Sequence, residues 1–137
     1  MKSHWHLVDR GTGRVVVDRL AIADGFWSRL VGLQLRAEPP RGFGLLLAPC
    51  SSMHTFLVRF PIDVVMLDRS GRVVAVRRGV RPWRVVLPVP RTYAILEVPS
   101  RHGLEVEAGQ SLCLEPPSGG HRKLSKTLAA WGVKPSP

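Results

Sequence analysis

Apolar positions along this chain fall in short runs divided by Gly, Pro and Asp, a spacing that predicts many strands and few helices. Trp5, Leu7 and Val8, alternating with His4 and His6, predict a first strand that breaks at Asp9-Arg10-Gly11-Thr12-Gly13. Val15, Val16 and Val17 resume as a second strand running toward Ala23, which makes the pair a hairpin with glycine supplying the positive φ of its turn. Asp24 then caps a short helix, since Phe26, Trp27, Leu30, Val31 and Gln34 recur at helical spacing. Gly32 costs that helix about 1 kcal/mol relative to Ala, so it is short or ends there. Residues 36–42 read as a loop, and Leu45, Leu46 and Leu47 as a third strand stopped by Pro49.

Pro61 marks the start of another strand, because proline is tolerated there and not in a central ladder. Val64, Val65, Met66 and Leu67 follow as a run apolar enough for burial on both faces. Asp68-Arg69-Ser70-Gly71 is the best hairpin signal, with Asp first and Gly fourth in the turn. Val73–Val76, Val85–Leu87, Tyr93–Val98 and Ser111–Leu114 supply further strands. The expected fold is therefore mainly β: a single-domain β-sandwich or jelly-roll-like barrel with one short helix near residues 24–34. Residues 1–116 form this domain. Residues 117–137 are a basic C-terminal tail or a short docked helix, with Leu124, Leu128 and Trp131 at i, i+4 and i+7.

At 137 residues, one domain buries roughly two-thirds of the surface its unfolded chain exposes and needs no staples. Cys50 and Cys113 are the only cysteines, too few for a disulfide framework. MKSHWHLVDR has no apolar core of a signal peptide, and no run approaches a membrane span, so a soluble cytoplasmic protein is expected. The net charge is +10, with Arg supplying 16 of the 20 basic residues. Placement says more than the total. No acid lies between Asp68 and Glu97, where seven arginines fall, and none follows Glu115. A positive surface that attracts polyanions is the consequence.

Candidate chemistry concentrates in residues 50–68, CSSMHTFLVRFPIDVVMLD. Cys50, Met53 and His54 would suit Cu(I), or Zn with Cys113 or another His, although a metal needs three or four convergent ligands. Cys50 with His54 would alternatively be a nucleophile and base, with no oxyanion device legible nearby. The plainer account has Met53 and Cys50 packing and His54 satisfying loop backbone. Asp63 stands at the mouth of an apolar strand, where a carboxylate is costly unless paired or bonded to backbone N–H groups. Arg59 or one of the later arginines is its expected partner. The preferred account is that Asp63 pins the loop structurally; the functional one is that His54, Arg59 and Asp63 line a polar ligand pocket. Arg77, Arg78, Arg81, Trp83 and Arg84 suit a polyanion, guanidinium groups on phosphates and Trp83 stacking, but no recognised nucleic-acid motif accompanies them.

Four pieces of the chain resemble, in order, a bacterial and archaeal family known as domain-of-unknown-function family 192. They are Gly32-Leu33-Gln34-Leu35-Arg36, the stretch from Met53 through Asp68 to Gly71, Leu96-Glu97-Val98-Pro99, and Leu104 through Gly109. Pro61-Ile62-Asp63 is the most specific element, and the resemblance spans residues 14–116. It implies a compact β-sandwich or jelly-roll-like barrel with a small helix, and no established reaction or catalytic residues. Other branches carry Trp-Met-Lys-Asn-Thr where this chain has Ser52-Met53-His54-Thr55, so Met53 and Thr55 match more widely than His54. Many relatives are exported or lipid-anchored.

The sequence thus reads as a non-enzymatic β-module that binds a ligand or protein partner around residues 50–63, with no cofactor expected. A Cys/His metal-binding protein or thiol enzyme is the first alternative. Polyanion binding, at least weakly, through residues 77–84 is the second.

Overall fold

The computed structural model of the chain describes residues 5–23, 41–48, 53–54, 60–87 and 89–116. Its centre is built by the two most apolar runs. Ile62–Leu67 (β5) and Ala94–Pro99 (β8) pair antiparallel in register from Ile62–Pro99 to Leu67–Ala94, and every residue of both is buried. Strands covered on both faces can be apolar throughout instead of alternating, which is why these two read as continuous runs. The remaining strands are Trp5–Asp9 (β1), Val15–Ala23 (β2), Phe43–Leu47 (β3), Met53–His54 (β4), Val73–Val80 (β6), Val85–Val86 (β7) and Leu112–Glu115 (β9). A 3-10 turn, Ser100–His102, follows β8.

Seven strands form one mixed sheet in the order β6-β5-β8-β3-β2-β1-β9, and β4 pairs with β7 in a separate two-stranded ribbon. The mainly β architecture expected from the pattern is the one the chain adopts. The sheet curls until its edges touch at a single antiparallel bridge, Arg72 to Ser111, without closing as a barrel. Around that bridge the Val73 N–H donates to the Gln110 carbonyl (2.8 Å) and the Leu112 N–H to the Gly71 carbonyl (2.9 Å). Both hairpins expected from turn chemistry are present, β1–β2 and β5–β6. β2 and β3 instead run parallel, Arg19 opposite Phe43 through Ala23 opposite Leu47. A parallel pair requires a crossover connection, and residues 24–42 supply it. The helix expected at 24–34 and the helix or tail expected at 117–137 lie outside the described residues.

Period-two alternation divides the core between the two faces of the sheet. Leu7, Leu20, Leu46, Val65, Leu67, Leu96 and Leu114 share one apolar cluster, which also gathers Leu104, Val106 and Leu112 from beyond the central strands. Leu45, Leu47, Ile62, Val64, Met66 and Ile95 share the other, joined by Phe60 and by Val86 of the ribbon. The ribbon therefore sits over the second face. That placement decides where the chemistry of residues 50–63 lies.

Candidate functional site

Asp63 is the sequence-predicted site residue whose surroundings are clearest. The β5–β6 ladder runs Ile62 to Val80 and then Val64 to Arg77, so Asp63 alone faces two residues, Arg78 and Gly79. This is a β-bulge, which bends a strand and leaves backbone groups outside the ladder. Gly79 takes φ of 62°, a left-handed geometry that costs other residues steric energy. The Gly79 N–H donates to Asp63 Oδ1 (2.9 Å), and the Ser100 hydroxyl donates to the same oxygen (2.9 Å). Arg78 Nη1 stands 3.4 Å from Asp63 Oδ2. Asp63 is only 4% exposed, and these donors offset the cost of burying its charge.

Arg78 extends this node to the loop beyond the 3-10 turn. Its Nη1 donates to the Leu104 carbonyl and its Nη2 to the Val106 carbonyl, both at 2.7 Å. Asp63 thus holds the bulge of β6 and the turn after β8 in place. Among the described residues its cationic partner is Arg78. Cys50 and Arg59 lie outside the described residues, as does Thr55, and of Met53 and His54 only the backbone is described.

That backbone is informative. Met53 lies opposite Val86 and His54 opposite Val85 in the β4–β7 ribbon. The two stretches singled out for different reasons, 50–63 and 77–84, are therefore hydrogen-bonded neighbours or directly continuous with them. On the β7 side, Val86 is buried in the core, whereas Trp83, Val85 and Leu87 are 65%, 59% and 75% exposed. Val85 lies in β7, Leu87 directly follows the strand and Trp83 precedes it by two residues. Arg81 and Arg84, in the same stretch of sequence, are exposed too, as is Arg77 on β6. Trp83 has φ of 64°, unfavourable for a bulky side chain and tolerated where the surrounding structure imposes it. Of the five polyanion candidates, Arg78 is bonded to Asp63 and to two carbonyls, and all five side chains are exposed in part or whole.

Two further groups bear on the chemistry. Cys113 is a buried free thiol on β9, paired with Val8 at an edge of the sheet, and Cys50 lies outside the described residues. Among the described residues no three His, Cys, Asp or Glu side chains converge as a metal site. Glu97 was not singled out by sequence reasoning beyond its place in Leu96-Glu97-Val98-Pro99. It is 2% exposed, between Leu45 of β3 and Val64 of β5, in register with the face that the ribbon covers. The available signal was its position as the one charge in the strand Ala94–Pro99. A carboxylate there demands hydrogen-bonding or cationic compensation, which makes it a candidate functional group.

A curled, mixed β-sheet domain with a short ribbon over one face is the class that this geometry defines. The chain belongs to DUF192, a family described as "Uncharacterized ACR", whose model matches residues 7–115. Among relatives, a UPF0127 protein of Thermococcus sibiricus is 35% identical over 99 residues, which cover 68% of this chain and 62% of that protein. The match thus spans less than two-thirds of that relative's length. A crystal structure of a protein of unknown function from Novosphingobium aromaticivorans superposes with a TM-score of 0.65 at 18% identity, covering 79% of this chain and 81% of that one. A "putative transcription regulator" from Sinorhizobium meliloti gives 0.64 at 19% identity, covering 83% and 94%. The two structures establish a shared fold.

Proposed function

We propose that the protein is a non-enzymatic β-module that docks onto a protein partner through the ribbon side of the domain. The observation that carries this reading is the exposure of Trp83, Val85 and Leu87, in and beside the strand Val85–Val86 that pairs with Met53–His54. Interface hot spots favour Trp and Arg, and three exposed large apolar side chains have no role in the fold's own core. Arg77, Arg81 and Arg84 are exposed within a few residues of these positions in sequence, and the net charge is +10. The complementary partner surface is acidic at its rim and apolar at its centre. No cofactor is part of the proposal.

A photo-reactive residue placed at Val85 tests it in the organism's own cells, with the same residue at Arg69 as the control. A discrete adduct from position 85, carried by an acidic protein and abolished by Leu87→Asp, is the expected result. Equal, diffuse labelling from both positions counts against a docking surface. A polyanion reading draws support from the same arginines with Trp83 stacking, and the description of the Sinorhizobium meliloti protein adds a reason to test it. Salt separates the two. Phosphate contacts weaken steeply with ionic strength, whereas an apolar-centred protein contact does so weakly.

A further inference from the structure

We propose that a cavity at the end of the sheet where β2 and β3 begin and β8 ends binds a small oxyanion, of the phosphate or short-carboxylate class. The cavity measures about 200 Å³, and its charged and polar lining is Arg14, Arg41, His102 and Glu105. It shares no residue with the ribbon. Phe43, Val98 and Leu104 form its apolar walls.

Three observations converge on an anion. His102 Nδ1 is shielded from solvent and meets no hydrogen-bond partner among the described residues. A buried polar atom left in this state calls for an explanation, and an acceptor entering the cavity supplies one. Arg41, on the same lining, makes no hydrogen bond or ion pair among the described residues. Arg14 is already paired, its Nη2 lying 2.5 Å from Glu105 Oε2. Glu105 therefore cancels Arg14, and Arg41 is the uncancelled charge on the lining. Asp18 is not on the lining, but its carboxylate lies against Gly42, where a Cβ would collide with it. With Glu105 paired to Arg14, Arg41 and His102 are the groups on the lining left to engage the ligand.

Guanidinium forks match the oxygens of phosphate and carboxylate, and the His102 ring adds an N–H donor. The cavity, about 200 Å³ and open to solvent on one side, has room for a phosphate group or a short carboxylate.

The test is a titration of the full-length protein with sodium phosphate, and separately with sodium acetate, at constant ionic strength maintained with sodium chloride. The His102 ring resonances and the thermal midpoint are followed together. A saturable shift of the ring signals with phosphate or acetate, weakened at least tenfold by Arg41→Ala, is expected, with a matching rise in midpoint that His102→Gln abolishes. A response to phosphate alone would assign a tetrahedral anion; a response to both would assign the wider class. Equal shifts from chloride, no saturable response to either anion, or an Arg41→Ala protein that titrates like the parent would overturn the proposal. Arg69→Ala, which removes a cation stacked on Tyr93 at 4.6 Å, should leave the titration unchanged.

Discussion

Asp63 and Arg78 meet across the bulge of the β5–β6 hairpin, carboxylate oxygen to guanidinium nitrogen at 3.4 Å. The pair is less an isolated salt bridge than the centre of a network that also includes Gly79, Ser100, Leu104 and Val106. Arg78 is about half exposed, 48% for its side chain, so solvent screens its attraction to Asp63. The larger contribution comes from the backbone and hydroxyl donors aimed at a buried carboxylate.

Asp63→Ala should therefore destabilise the fold by about 2–4 kcal/mol, since it leaves the Gly79 N–H and the Ser100 hydroxyl without their acceptor. Asp63→Asn retains one carbonyl oxygen for those donors and should cost less than half as much. Urea unfolding of the two variants checks the order. Equal losses would mean that the charge, not the acceptor, is what the site requires.

Much of this was legible in the residues, and the reasons for the gaps are physical. The β5–β6 turn was readable because Asp68 does locally what its chemistry favours: its Oδ1 accepts from the Ser70 N–H (2.8 Å), the Ser70 hydroxyl and the Arg72 N–H. The parallel pairing of β2 with β3 was not readable, because it joins segments 24 residues apart in register, Arg19 to Phe43. The β4–β7 ribbon escaped for a similar reason. Each strand is two residues long, below what periodicity resolves. The residues show that Asp63 needs a partner and offer Arg59 or one of the later arginines; which of them meets it depends on the bulge and hairpin register that present Arg78, which no local pattern reveals.

Acid should destabilise the protein through Asp9 and Asp68. Hydrogen bonds from the Thr12 backbone, with Gln110 and Gly11, hold the Asp9 carboxyl below its ordinary value despite its burial. At Asp68 burial pushes upward most strongly, but the Ser70 and Arg72 hydrogen bonds together outweigh it and the net direction is again down. A carboxyl whose folded pKa is depressed adds stability above its unfolded pKa, about 3.9, and loses it as pH falls through the folded value. The urea midpoint should hold from pH 7 to about 5 and decline below 4. Asp9→Asn should flatten that decline; an unchanged slope would remove Asp9 as a contributor.

Gly44 tests the packing of the curled sheet. A Cβ there would lie 3.0 Å from Val17 Cγ1 and 3.3 Å from both Leu96 Cδ1 and Val98 Cγ2. All three belong to the same interior cluster, so the neighbours must move to admit one methyl group. Gly44→Ala should cost about 1–3 kcal/mol, the usual penalty for overpacking. A neutral result by thermal unfolding would show that β3 and β8 have slack on that face.

Trp83 is where strain and exposure coincide, and it offers the sharpest separation of stability from function. With φ at 64°, any residue bearing a Cβ is disfavoured by about 1–2 kcal/mol, and glycine is not. In ordinary loop geometry Gly is less stable than Ala, because the unfolded chain gains freedom. Here the order should invert, with Trp83→Gly at least as stable as Trp83→Ala. Both substitutions delete the exposed ring, so both should abolish the crosslink from position 85 even if thermal unfolding shows Trp83→Gly to be as stable as the parent. Ala more stable than Gly would refute the left-handed geometry at Trp83. A crosslink that survives both changes would remove Trp83 from the docking surface and leave Val85 and Leu87 to carry it.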